Sequence, residues 1–153
     1  MKTGLLNLSG RIGIRHIRDG KTLSYEEVDN TVTATGKAEV AGLINEVTSI
    51  GFKWIAIGSS STAAASANTA LAAELTTGGL SRAAATCTRV TTDDTNDTAQ
   101  LVHTFAATAT LTVQEAGIFD SASGGIMLGR QTFAAKNMES ADTLAITYKV
   151  DVD

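Results

Sequence analysis

The 153-residue sequence contains no proline, a single cysteine, two histidines and few aromatic residues, 5% in all. Without proline, the turns must be made by Gly, Asn, Asp and Ser, residues that tolerate tight or left-handed backbone. One cysteine, Cys87, excludes an intrachain disulfide, and the expectation for it is a small buried apolar side chain. Two isolated histidines, His16 and His103, give no zinc-ligand spacing with that cysteine. No phosphate-binding glycine loop and no Gly-x-Ser-x-Gly elbow is present, so no catalytic constellation is expected. No apolar run reaches membrane length, and residues 1–9 are too weakly apolar for a signal peptide, which predicts a soluble protein made in a cytoplasm.

What is present is mostly small. The apolar share is 43%, much of it alanine, so the predicted core is thin and gains less from burial per residue than one built of large side chains. The length suits one domain spanning residues 1–153. The net charge of −4 is unevenly distributed. Residues 1–21 carry five basic groups, Lys2, Arg11, Arg15, Arg18 and Lys21, against Asp19, a balance of +4, while the remainder carries 7 basic and 15 acidic groups, or −8. An acidic body without interleaved aromatics argues against nucleic acid as a partner. The basic segment instead suggests docking on an acidic surface, with Arg11, Arg15, Arg18 and Lys21 as the candidate subunit-docking residues.

Period-two patterning dominates. In 101–113 the odd positions are apolar or aromatic and Thr or Ala fills most even positions, and 144–152 repeats the pattern with Leu144, Ile146, Tyr148, Val150 and Val152. Ile12 and Ile14 alternate with Arg11, Gly13 and Arg15, after which the phase slips at Ile17, as a bulge requires. Asp19-Gly20 then turns a hairpin covering about 11–29. Helical spacing of Val40, Leu43, Ile44 and Val47 predicts one helix over about 35–48, capped by Thr35 and ended before Gly51, with that apolar face buried. Residues 52–58 read as a buried central strand, 59–66 as a surface loop, 71–75 as one helical turn capped by Asn68, and 82–90 as a strand. A further strand is expected at 126–133, with 136–140 linking it to the last. Residues 91–98 hold three aspartates but lack the glycine and distal glutamate of a calcium loop, so a solvated hairpin loop without metal is expected. The sum is about eight or nine strands and one helix, an all-β sandwich or barrel.

Glu115 stands out because its neighbours Val113, Ala116 and Ile118 imply burial. A buried carboxylate needs a cation or backbone donors, and Arg82, Arg89 and Arg130 are the candidate partners for this structural role.

Further features run in a fixed order. The hairpin is followed by Asn30-Thr31-Val32 and the helix, then Ile55-Ala56-Ile57-Gly58-Ser59 and Asn68-Thr69-Ala70-Leu71-Ala72-Ala73-Glu74-Leu75. Arg82, Glu115-Ala116-Gly117-Ile118-Phe119-Asp120, Arg130-Gln131-Thr132-Phe133, Lys136 and the alternating terminus complete the series. This order resembles small virion structural proteins of tailed bacteriophages, and part of it is similar to the N-terminal unit of tail-collar fibre proteins. The loop after Gly58 departs from that pattern, carrying Ser, Thr and Ala where such proteins often have proline. The resemblance implies a jelly-roll-like sandwich without catalytic residues or cofactors. It also implies a place in the virion after synthesis in the host cytoplasm. The expected role is a capsid decoration or cement protein that bridges major capsid subunits and forms a homo-oligomer on the particle, with no nucleic-acid, membrane or small-molecule substrate. A tail, collar, baseplate or fibre component is the alternative, and a carbohydrate-binding sandwich a more distant one.

Overall fold

The structure, a computed structural model, describes Gly4 and residues 6–153. The chain order is β1 (Leu8–Arg18), β2 (Lys21–Asp29), β3 (Thr31–Val32), α1 (Ala34–Ile44), β4 (Trp54–Gly58), β5 (Ala83–Ala84), β6 (Thr86–Val90), β7 (Thr98–Ala106), β8 (Leu111–Phe119), β9 (Met127–Met138) and β10 (Thr143–Val152). Two antiparallel five-stranded sheets result, in the orders β2-β1-β10-β7-β6 and β3-β9-β8-β4-β5. The pairs β1–β10, β3–β9, β4–β8 and β6–β7 are nested along the chain, with the outermost and innermost pairs in the first sheet. The two middle pairs lie side by side in the second sheet because β8 and β9 also pair directly. The all-β expectation holds, with ten strands among the described residues rather than eight or nine.

Alternation places the main core. Ile12 and Ile14 of β1, Leu101 and Phe105 of β7, and Leu144 to Val150 at alternate positions of β10 point at the second sheet. There they meet Ile55, Ile57, Val113, Ile118, Phe133 and Met138. The second sheet is also covered on its other face, where Ala56, Phe119 and Met127 pack with Leu71 and Trp54. Burial on both faces explains why 54–58 lacks alternation and why β8 is buried from Glu115 through Phe119.

Several boundaries differ from the patterned expectation. The alternating 101–113 run is divided between two strands in different sheets, because the chain turns at 107–110. Ala107 donates to Asp142 O (2.9 Å) and Thr108 to Gly78 O (2.8 Å), so this corner is held by residues remote in sequence. Small alanines at odd positions let the apparent alternation run through the turn. Residues 71–75 form no helical turn; Asn68 Oδ1 instead accepts from Ala65 N at 2.8 Å. The expected 136–140 link lies largely within β9, which continues to Met138. Cys87 is exposed on edge strand β6 rather than buried.

The helix is capped by Thr33, not Thr35: Thr33 has extended backbone and its Oγ1 accepts from Gly36 N at 2.9 Å. Its contact with β9 is made through Gly36, the one buried residue of α1. A Cβ there would lie 2.6 Å from Leu128 Cα. Because the helix stops at Ile44, the expected apolar face is split. Val40 packs on the core, while Ile44 and Val47 are 73% and 82% exposed.

Candidate functional site

The β1–β2 hairpin turns at Asp19 (φ 50°) and Gly20 (φ 74°), the positive-φ pair that the sequence implies. The register shift at His16 and Ile17 corrects the expected slip within β1: His16 pairs with Ser24 and Ile17 with Thr22, so the extra, bulged residue is Leu23 of β2, while β1 stays in unbroken register with β10. Below the bulge, Ile12 and Ile14 are fully buried and Arg11 and Arg15 project from the opposite, outer face. Three cross-strand rows make up this face: Asp29, Arg11 and Lys149; Glu27, Gly13 and Thr147; Tyr25, Arg15 and Ala145.

Arg11 meets two carboxylates across these rows, and Arg15 meets a ring and a hydroxyl. Arg11 lies 3.5 Å from Glu27 and 4.0 Å from Asp29, at 62% side-chain exposure. The Arg15 guanidinium sits 4.6 Å from the Tyr25 ring centroid and donates to Thr22 Oγ1 at 3.3 Å. Tyr25 Oη donates to Glu27 Oε1 at 2.7 Å, which raises the phenol's pKa. A groove of about 810 Å³ runs over this face. Close to it, Tyr148 Oη donates to Asn30 Oδ1, and the Asn30 amide nitrogen packs beside Gly10 and Gly129, where added Cβ atoms would collide with it.

Beyond the bulge, Arg18 does not share the outer face, which corrects the expectation that all three arginines are free for docking. Its Nε donates to Asp142 Oδ1 at 2.8 Å and its Nη2 to Oδ2 at 2.7 Å, a bidentate pair, while Nη1 lies 2.9 Å from Glu139. Buried Asp142 also accepts from His16 Nε2 (2.7 Å) and Glu139 N (2.9 Å). The guanidinium first, then these donors, hold its carboxyl well below the ordinary range, and Asp142 in turn raises Arg18. Lys21 is exposed beside the turn, and Lys2 lies outside the described residues.

Glu115 is fully buried, as its neighbours implied, and its partner is Arg130 (Nε to Oε2, 2.7 Å; exposures 0% and 1%). The carboxylate also accepts from Ala72 N (3.0 Å) and Ala73 N (2.7 Å). Arg130 donates further to Thr62 O (2.7 Å), Ala63 O (3.2 Å) and Asn68 Oδ1 (3.0 Å). One ion pair therefore fastens both halves of the Ser/Thr/Ala-rich loop 59–75 to the sheet. Arg82 instead forms a bidentate pair with Glu74, lies 3.7 Å from the Phe119 ring centroid and reaches Ser121 O and Gly124 O. Arg89 is exposed on β6. The sequence reading missed Lys136, which is buried on β9 and joins the sheets through Glu26 at 2.7 Å. It also missed the contact between His16 and Asp142, because no local signal links residues 126 positions apart.

The 91–98 loop connects β6 and β7 and is organised by Asp97, which accepts from Thr92, Asp93 and Asp94 N–H at 2.8, 2.8 and 2.6 Å. These donors, Thr92 foremost, hold Asp97 well below the ordinary carboxylate range. Carboxylate oxygens of Asp93, Asp151 and Asp153 lie within 4.8 Å of one another, a grouping invisible in the loop sequence because two members come from the chain end.

These groups fall into two kinds: buried charges that hold the frame, and an exposed polar face on β2, β1 and β10. No protein-family model, curated protein or solved structure matches this chain.

Proposed function

We propose that the chain is a non-enzymatic structural protein of a tailed-phage virion, a decoration protein that binds the outer capsid shell and bridges major capsid subunits. The observation that carries this reading is the division of its charged groups. Glu115, Arg130, Asp142, Arg18 and Lys136 are committed to internal pairs that hold loops and sheets together. Arg11 and Arg15 stand exposed on an edge hairpin of a rigid sandwich, where a neighbouring subunit can compete for them. The likeness of the ordered motifs to small virion proteins supports the same reading. Exposed ion pairs contribute about 0–1 kcal/mol each, so attachment would depend on many contacts repeated around a symmetric shell.

The direct test is copy number in purified particles of the encoding phage. Decoration requires abundance comparable to the major capsid protein; a few copies per particle would assign the chain to the tail, collar, baseplate or fibre. As a second test, an Arg11→Ser/Arg15→Ser variant should stay folded and be retained less well on stripped particles. Retention by the wild type should fall as salt rises, because exposed charges are screened. Salt-independent binding that is equal for variant and wild type would place attachment elsewhere.

A further inference from the structure

We infer that the groove on the outer face of the first sheet is a binding site for a neutral oligosaccharide. The inference does not depend on the virion reading, because it rests on the chemistry of the groove itself.

Tyr25 supplies the platform. It is half exposed, and its ring leans over Gly13, whose missing side chain provides the space: a Cβ there would lie 3.2 Å from Tyr25 Oη and 3.6 Å from Cε2. Glu27 fixes the phenol by its hydrogen bond, so the ring is held in place before any ligand arrives. An aromatic ring displayed in a polar groove offers an apolar surface to the C–H face of a pyranose, while hydrogen-bonding groups around it take the hydroxyls.

The charges around the ring select the ligand class. Arg11, Arg15, Lys37 and Lys149 line the groove together with Glu27, Asp29 and Asp151. A sugar hydroxyl donates and accepts at once, so it is satisfied between guanidinium donors and carboxylate acceptors. A phosphate or polyanion would meet three carboxylates, and a polycation would meet the four cationic groups. An apolar peptide side chain would find a lining dominated by polar and charged residues. The Arg15 guanidinium lies over one face of the ring, 4.6 Å from its centroid, so the sugar would stack on the other face, and Thr147 adds a hydroxyl beside Gly13.

The test is a titration of the isotope-labelled full chain, followed by amide chemical shifts, with cellohexaose, maltohexaose and chitohexaose as separate probes and polygalacturonate as the anionic comparison. At least one neutral hexasaccharide should give saturable shifts centred on Gly13, Tyr25 and Thr147. Tyr25→Ala should then weaken that binding by about tenfold with an unchanged melting temperature. Glu27→Gln, which keeps the side-chain volume on an exposed position, should weaken it as well, and this guards against a folding defect in the alanine variant. The inference is overturned if no neutral probe saturates by about 10 mM. It is equally overturned if the shifts map outside the groove, if both variants bind like wild type, or if only polygalacturonate binds.

Discussion

Removing the Glu115 carboxylate tests how the second sheet keeps its outer cover. In Glu115→Ala, Arg130 remains at 1% exposure without its counter-ion, and the N–H groups of Ala72 and Ala73 lose their acceptor. Breaking one side of a buried pair costs about 3–5 kcal/mol, mostly from the stranded partner. For a domain of this size each kcal/mol lowers the melting temperature by about 2–4 °C, so the expected loss is about 6–20 °C. The damage should be local before it is global, because the same pair holds Thr62, Ala63 and Asn68 on one side and Ala72 and Ala73 on the other. Loop 59–75 contains no Lys or Arg, so trypsin cannot report its release; thermolysin, which cuts before Leu71 or Leu75, can. Cleavage there should appear below the melting transition of the variant and be absent in wild type. Glu115→Gln keeps an acceptor oxygen for one N–H but leaves the guanidinium uncompensated, so it should fall between the two. An alanine variant that melts like wild type and resists thermolysin would refute the assignment of this pair as the loop's fastening.

Two further outcomes follow from named contacts. The folded-state pKa of Asp142 is depressed, so its stabilisation is complete above the ordinary carboxylate value of about 3.9 and is lost as pH falls through that value toward the folded one. Asp142→Asn should therefore be less stable at neutral pH and show a flatter decline below about pH 4 in urea midpoints; parallel acid limbs for variant and wild type would exclude the Arg18 pairing as the cause. Gly36→Ala sets helix propensity, a gain of about 1 kcal/mol, against a Cβ placed 2.6 Å from Leu128 Cα and 2.7 Å from Leu128 O. Overpacking against backbone costs about 1–3 kcal/mol, so a net fall in melting temperature is expected, and a rise would show that α1 can shift off β9 freely.

The sequence by itself determined the elements whose environment is set by their own neighbours. Ile12 and Ile14 against Arg11 and Arg15, and the Asp19-Gly20 turn, are short-range statements of which face is wet and where the backbone must turn. The alternation of β10 is of the same kind, and the burial of Glu115 followed from the apolar residues around it. The tertiary structure alone decided what lies across from each element. Alternation through 101–113 cannot reveal a corner held by Gly78 and Asp142, since alanine suits either a strand or a turn. The apolar spacing at 40–47 cannot place the end of a helix that stops at Ile44. Arg130 rather than Arg82 or Arg89 meets Glu115 because β8 and β9 pair in a register that brings their side chains together. Arg18 lies off the docking face by alternation alone, on the parity of Ile12, Ile14 and His16, but its partner Asp142 is brought near only when β10 pairs with β1. Ionic and hydrogen-bonded partners are chosen by proximity in space, and a linear pattern records only a residue's preference for water or for the interior.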